Sequence, residues 1–244
     1  MSSLRSENGC PWDKEQTAES LKPFLVEETY EALEAIDEGD PEKIKEELGD
    51  LLFQIVFHCQ LAKERGEFDM NDVIKNIGYK MISRHPHVFC KEKFETSEEV
   101  SKQWDERKKE EGKIKESILE GIPKELPSLL RAHKLQARAA KVGFDWQRVE
   151  DVMEKLEEEL REFRSALKSK EQKEIEDELG DIFFVLVNIS RFVGVNPDDA
   201  LRKTISKFIS RFRYIEMKAR DAGKTLDDMT LEEMDALWDE AKKK

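Results

Sequence analysis

The sequence predicts an all-α protein built from tandem duplicated helical bundles. Three observations carry that reading. Apolar residues recur at helical spacing in Leu21, Leu25, Ala32 and Ala35, and again in Ile44, Leu48, Leu51, Ile55 and Ala62. β-branched alternation is nearly absent, and 11 Gly and 7 Pro in 244 residues are too few for a turn-dense β-sandwich. Three blocks of sequence also return in the same order. Glu27-Glu28-Thr29-Tyr30-Glu31 is echoed by Glu158-Glu159-Leu160-Arg161-Glu162, and Glu47-Leu48-Gly49-Asp50 by Glu178-Leu179-Gly180-Asp181, both at an offset of 131. Lys80-Met81-Ile82-Ser83-Arg84 returns as Lys207-Phe208-Ile209-Ser210-Arg211 after a shift of four residues. Ordered repeats with one small indel point to duplication of a single unit.

Turn signals divide the chain into eight or nine predicted helices. The first, 17–38, ends at Gly39-Asp40-Pro41, and 41–65 ends at Gly66. Helix 70–83 stops before His85-Pro86. The charged stretch 97–111 is the element on which the tally turns. Ile122-Pro123 precedes helix 127–140, Gly143 separates it from 149–168, and 171–193 runs up to Asn196-Pro197. Helix 198–221 and a last one near 230–243 complete the chain. The repeats set the domains at 1–95 and 126–244, with 96–125 as a charged helical linker in which Trp104 is embedded.

Composition narrows the function. A formal net charge of −13 argues against a nucleic-acid binder that works through a basic surface. An acidic chain that handles phosphates needs placed Lys and Arg, or a metal. Cys10, Cys59 and Cys90 are odd in number and lack CxxC spacing, which suits a reducing cytoplasm better than a disulfide framework. The first residues lack the apolar run of a signal peptide. The longest apolar stretch, Ile182 to Val187, is far short of the roughly 20 residues of a membrane span. The expected partners therefore include neither membrane nor nucleic acid.

The repeated acids carry the chemistry. On a helix Glu28 and Glu31 share a side with Glu27, and Glu28 interrupts the stripe of Leu21, Leu25, Ala32 and Ala35. A carboxylate there calls for a cation or a proton, because burying it uncompensated costs several kcal/mol. Glu47 and Asp50 share a face of a helix that is apolar nearly all round, so packing on several sides is expected. Gly49 costs roughly 1 kcal/mol against Ala in a helix interior, and its return as Gly180 suggests close helix approach at the acid pair. Facing helices thus offer three Glu from one side and a Glu-Asp pair from the other, twice. Oxygen-only donors select hard ions, Mg²⁺, Mn²⁺ or Ca²⁺.

Lys80 with Arg84, and Lys207 with Arg211, sit four apart on one helical face, as phosphate clamps beside a metal would. Trp12, Trp146 and Trp238 read first as packing residues, with base cover by Trp238, in an otherwise charged tail, as the alternative. His58 has no counterpart in the second repeat, where Ile189 stands, and His85 and His87 make a weak metal signal. No GxxxxGK[ST], GxGxxG or Glu-x-x-His occurs, against a P-loop, a dinucleotide fold and a di-iron bundle.

These residues resemble the MazG family of nucleoside triphosphate pyrophosphohydrolases. The likeness includes Cys10-Pro11-Trp12-Asp13, Glu27-Glu28-x-x-Glu31, Glu46-Glu47-Leu48-Gly49-Asp50-Leu51-Leu52 and Arg84-His85-Pro86-His87-Val88-Phe89 in repeat one. In repeat two it includes Lys141-Val142-Gly143-Phe144-Asp145-Trp146, Glu158-Glu159-x-x-Glu162 and Glu178-Leu179-Gly180-Asp181. The resemblance implies the all-α NTP pyrophosphatase fold, with bundles completed by homodimerisation. It implies Mg²⁺-dependent hydrolysis of NTP or dNTP to the monophosphate and pyrophosphate. Glu28, Glu31, Glu47 and Asp50 would hold metal in one copy, and Glu159, Glu162, Glu178 and Asp181 in the other. Lys207, Arg211 and Trp238 match substrate contacts of the carboxy-terminal domain. Lys43, seven residues before Asp50, matches a Lys found in some members, whereas repeat two has Glu174 there.

Glu27 or Glu158, not fully used as a ligand, would orient the attacking water as general base. The competing readings are a narrower dUTP, dCTP or phosphoribosyl-ATP pyrophosphatase, and a non-catalytic acidic helical protein that binds divalent cations. The apolar faces Phe53–Phe57 and Ile182–Val187 independently predict a dimer.

Overall fold

The computed structural model describes residues 1–89 and 117–243, together with Thr96, Glu99 and Gln103. Cys90, Trp104, the helix expected at 97–111 and most of the 96–125 linker lie outside the described residues. Among the described residues there are ten α-helices, one 3₁₀ turn and no strand. The chain divides into two compact units, Met1–Ile114 and Lys115–Lys244.

The first unit centres on a hairpin of α2 (Lys22–Glu38) and α3 (Pro41–Glu64), preceded by the short α1 (Pro11–Glu15). α2 begins at Lys22, not at residue 17, because Thr17 and Ser20 close a turn on themselves. The Thr17 backbone N–H donates to Ser20 Oγ at 2.9 Å, and that of Ser20 to Thr17 Oγ1 at 3.1 Å. Gly39 ends α2 with φ +71, a conformation that a Cβ makes costly. Asp40 then caps α3 by accepting from the Glu42 N–H, and Pro41 occupies its first turn, where a missing N–H does no harm.

Leu21, Phe57 and Leu61 form the buried core of this unit, with Met1, Ala18 and Phe24 packed round them. Full burial of Phe57 and Leu21 contributes about 1.5–3 kcal/mol each. Arg5 fastens the leading segment to the end of α3. Its guanidinium donates to Glu64 Oε1 and Oε2 at 2.8–3.0 Å, to the carbonyls of Asp13 and Gln16, and lies 5.6 Å from the Phe57 ring centroid. α4 (Met70–Arg84) opens on a capping box between Asp69 and Asp72 and stops ahead of Pro86, which begins the one-turn α5 (Pro86–Phe89).

The second unit repeats the hairpin as α7 (Val149–Ser169) and α8 (Gln172–Phe192), against which α6 (Ser128–Ala140) packs. Val152, Ala166, Val185 and Val187 are buried here. Gln136 of α6 donates to the Phe184 carbonyl at 2.8 Å, and Arg191 bonds Asn188 Oδ1 at 2.8 Å and Asp145. Asn196 caps α9 (Pro197–Asp221). A 3₁₀ turn (Leu226–Asp228) and a Thr230–Glu233 capping box then lead into α10 (Leu231–Ala241), which folds back on α9.

Two packing expectations require correction. α3 and α8 are not enclosed on several sides: Leu48, Leu52, Phe53 and Ile55, and likewise Leu179, Phe183, Phe184 and Leu186, are 38–52% exposed. Among the described residues of the predicted apolar runs, Phe57, Val185 and Val187 are buried, and Leu51, Val56 and Ile182 are half-buried. Nor do Gly49 and Gly180 mark close helix contacts, since a Cβ at either would meet nothing within 4 Å among the described residues. One helical hairpin covers one face of each helix, and the other face stays open.

Candidate active site

The repeated acids converge in both hairpins. In the first unit, carboxylate oxygens of Glu28 and Glu31 on α2 and of Glu47 on α3 lie within 4.8 Å of one another. Asp50 lies outside that trio, yet its charge acts on both Glu28 and Glu47. Burial, and beyond it the charges of Asp50 and Glu31, holds the Glu28 carboxyl above the usual carboxylate range, against a 3.4 Å hydrogen bond from Gln54. Burial, with Glu31 and Asp50, raises Glu47 in the same way. Glu27 is exposed on α2.

In the second unit, Glu158, Glu159 and Glu162 of α7 form one such trio, and Glu159 joins Glu178 and Asp181 of α8 in another. Glu159 is buried, 4% exposed, so its charge depends on what faces it. Glu178 is raised by burial and by Glu162, Glu159 and Asp181, and its Oε2 is buried without a hydrogen-bond partner. A cluster of oxygen donors whose charges together raise Glu178, and which includes a buried, unpartnered oxygen, has the chemistry of a hard-cation site.

Lys155 distinguishes this copy, and sequence reasoning missed it. Its ammonium lies 2.5 Å from Glu158 and 2.7 Å from Glu159, and the two hydrogen bonds hold it charged well above the ordinary lysine range. The hydrogen bond from Lys155 in turn depresses the Glu158 carboxyl. The signal was a Lys three and four residues ahead of the acid pair; the first repeat has Phe24 at that place.

The cations predicted to clamp phosphate differ in setting. Lys43 pairs with Glu38 at 2.6 Å across the α2–α3 turn. Lys80 is exposed and Arg84 buried, although both lie on α4. On α9 Lys207 is exposed, and the Arg211 guanidinium lies 5.5 Å from the Trp238 ring centroid. The Trp238 ring is also 5.3 Å from that of Phe208. Phe208 and Trp238 border a cavity of about 340 Å³ between α9 and α10. Phe208, Phe212 and Ile215 line it from one side, and Leu231, Met234, Asp235 and Trp238 from the other.

The chain matches the MazG nucleotide pyrophosphohydrolase domain family twice, at residues 16–89 and 147–215, and these spans contain the two acid clusters. It is 46% identical over 243 residues to the Thermotoga maritima nucleoside triphosphate pyrophosphohydrolase/pyrophosphatase MazG, covering 99% of this chain and 92% of that one. Identity to the Escherichia coli K12 nucleoside triphosphate pyrophosphohydrolase is 43% over 241 residues, covering 97% of this chain and 92% of that one. The Bacillus subtilis protein YabN is 49% identical over 98% of this chain and 49% of its own length. A crystal structure of a mazG-related protein from Thermotoga maritima aligns with 34% identity and a TM-score of 0.38, over 44% of this chain and 90% of that one. With two matched domains, and with the Thermotoga maritima and Escherichia coli relatives alike over 92% of their length, the chain belongs to the MazG nucleotide pyrophosphohydrolase family and is an all-α hydrolase carrying that domain in tandem.

Proposed function

We propose that the protein hydrolyses nucleoside triphosphates, NTP or dNTP, to the monophosphate and pyrophosphate with Mg²⁺, Mn²⁺ serving as a substitute. The observation that carries this reading is the pair of carboxylate clusters, each formed where two helices of a matched domain meet. The named activities of the Thermotoga maritima and Escherichia coli relatives support the substrate. Glu28, Glu31, Glu47 and Asp50 would hold metal in one unit, and Glu159, Glu162, Glu178 and Asp181 in the other. The metal, when bound, neutralises triphosphate charge and lowers the pKa of a water.

The remaining residues orient substrate. Lys207 and Arg211, with Lys80, Arg84 and Lys43 in the first unit, bind phosphate oxygens, Arg as a fork and Lys as a point charge. Trp238 covers the base. Glu27 or Glu158 accepts the water proton; Glu158 is engaged by Lys155, whose hydrogen bond holds its carboxyl below the usual range. The protein acts as a homodimer in the cytoplasm, with a house-cleaning role in the nucleotide pool. Domain limits of 1–95 and 126–244 around a linker 96–125 suit this two-site arrangement.

The test is pyrophosphate release from an NTP and dNTP panel, with Mg²⁺ and with excess chelator. Turnover should require the metal, and turnover undiminished by chelator would overturn the reading. Replacing Glu47 and Asp50 by Gln and Asn, or Glu178 and Asp181 likewise, should leave partial and unequal activity. The combined variant should have none. If either pair alone abolishes turnover in a folded protein, only one copy is catalytic.

A further inference from the structure

The α9–α10 cavity has an uneven lining. Aromatic and aliphatic side chains make its walls, with the Phe208 and Trp238 rings 5.3 Å apart, and Asp235 is the carboxylate among its lining residues. A volume of about 340 Å³ falls in the range of small-molecule pockets, which combine apolar walls with a few placed polar groups that fix orientation. The Arg211 guanidinium lies 5.5 Å from the centroid of the Trp238 ring that lines it, and Lys207 is one turn before Arg211 on α9, so a ligand that seats a flat ring among the aromatics has cations for its phosphates on the same helix. The ring's hydrogen-bonding edge then meets a group that accepts and does not donate. An ionised carboxylate takes hydrogen bonds from amino and imino N–H groups and repels carbonyl oxygens.

We propose that Asp235 is the base-discriminating residue of this site, and that it selects nucleotides whose base carries an exocyclic amino group. The inference rests on the reading of the cavity as the base subsite and deepens it. Guanine suits Asp235 best, because its adjacent N1–H and amino group offer two parallel donors to the two carboxylate oxygens. Adenine and cytosine offer the amino group alone. Uracil and thymine set their single N–H between two carbonyls, so approach to Asp235 brings oxygen against oxygen.

Steady-state hydrolysis of GTP, ATP, CTP and UTP by the full-length protein and its Asp235→Asn variant tests this. Asn presents both an amide N–H and a carbonyl, so it accepts uracil and thymine edges. Asp235 is exposed at the cavity rim, and the substitution keeps its size and helix position. The expected result is a wild-type kcat/KM about tenfold higher for GTP than for UTP, carried by KM more than by kcat. In the variant the ratio should fall to about twofold or less, through a lower KM for UTP as well as a higher one for GTP. An unchanged GTP-to-UTP ratio in an active variant would overturn the role of Asp235 and leave the proposed reaction standing. Failure of the wild type to hydrolyse any of the four would overturn the reaction. Titration calorimetry with GMP and UMP would then decide the residue without turnover: tighter GMP binding that Asp235→Asn abolishes supports it, and equal binding overturns it.

Discussion

Arg5 shows how one side chain can organise a segment without regular structure. Its side chain is 10% exposed, and its guanidinium serves Glu64 bidentately along with two carbonyls of the α1 region. Removing it strands those acceptors and uncovers the Phe57 ring. Arg5→Ala should therefore destabilise the first unit by about 2–3 kcal/mol, read as faster hydrogen exchange through the end of α3. Glu64 is 37% exposed, so water screens its half of the pair and Glu64→Gln should cost less than about 1 kcal/mol. The Arg5 hydrogen bond holds the Glu64 carboxyl below its ordinary value of 4.5. Its contribution is present in full above that value and is lost as pH falls through the lower folded value. The gap between wild type and Glu64→Gln should close on acidification, and a gap that widened instead would contradict the assignment.

At the scale of the helix, the two copies solve the same turn with different residues. Gly39 ends α2 at φ +71, and Lys170, its counterpart at an offset of 131, ends α7 at φ +62. A left-handed backbone costs an L-residue with a Cβ about 1–2 kcal/mol, while Gly adopts it freely and loses more chain entropy on folding. The net expectation is that Lys170→Gly stabilises the second hairpin by about 0.5–1 kcal/mol, measured as a higher melting midpoint of that unit. A lower midpoint would show that the lysine side chain makes a compensating contact. The same comparison separates the acid clusters. Phe24 packs against the core of the first unit, whereas Lys155 at its equivalent place neutralises part of the second cluster. The second cluster is thus less repulsive than its carboxylates alone imply.

For the molecule as a whole, the open faces of α3 and α8 are the dominant feature. Leu52, Phe53, Phe183 and Phe184 are each at least 40% exposed, and each group flanks a bare helix glycine, Gly49 or Gly180. Large apolar side chains grouped on one face are a surface that association covers. Light scattering at micromolar concentration should give twice the 28.5 kDa chain mass. Leu52→Asp together with Phe183→Asp should shift the protein toward monomer. A wild-type monomer would leave these faces without a partner of this kind.

Much of the fold was written locally. The boundaries at Gly39-Asp40-Pro41, at His85-Pro86 and at Asn196-Pro197 follow from backbone and side-chain groups within a turn of each other, so they can be read along the chain. The duplication and the acid spacing were equally legible, because a helix converts residue number directly into a face. Short α1 and α5 escaped, since five and four residues show no periodicity. What the sequence could not settle depends on which neighbour arrives from elsewhere. Glu159 is buried while Glu162, one turn away, is exposed, because α8 covers only one side of α7. Lys80 and Arg84 share a helix and differ in burial for the same kind of reason. Trp238 meets Phe208 and Arg211 only because α10 turns back along α9, across a 3₁₀ turn that no period announces. Local hydrogen bonding fixed the helices and the order of their acids; long-range packing, which selects one face of each, decided which acids are desolvated and where a cavity opens.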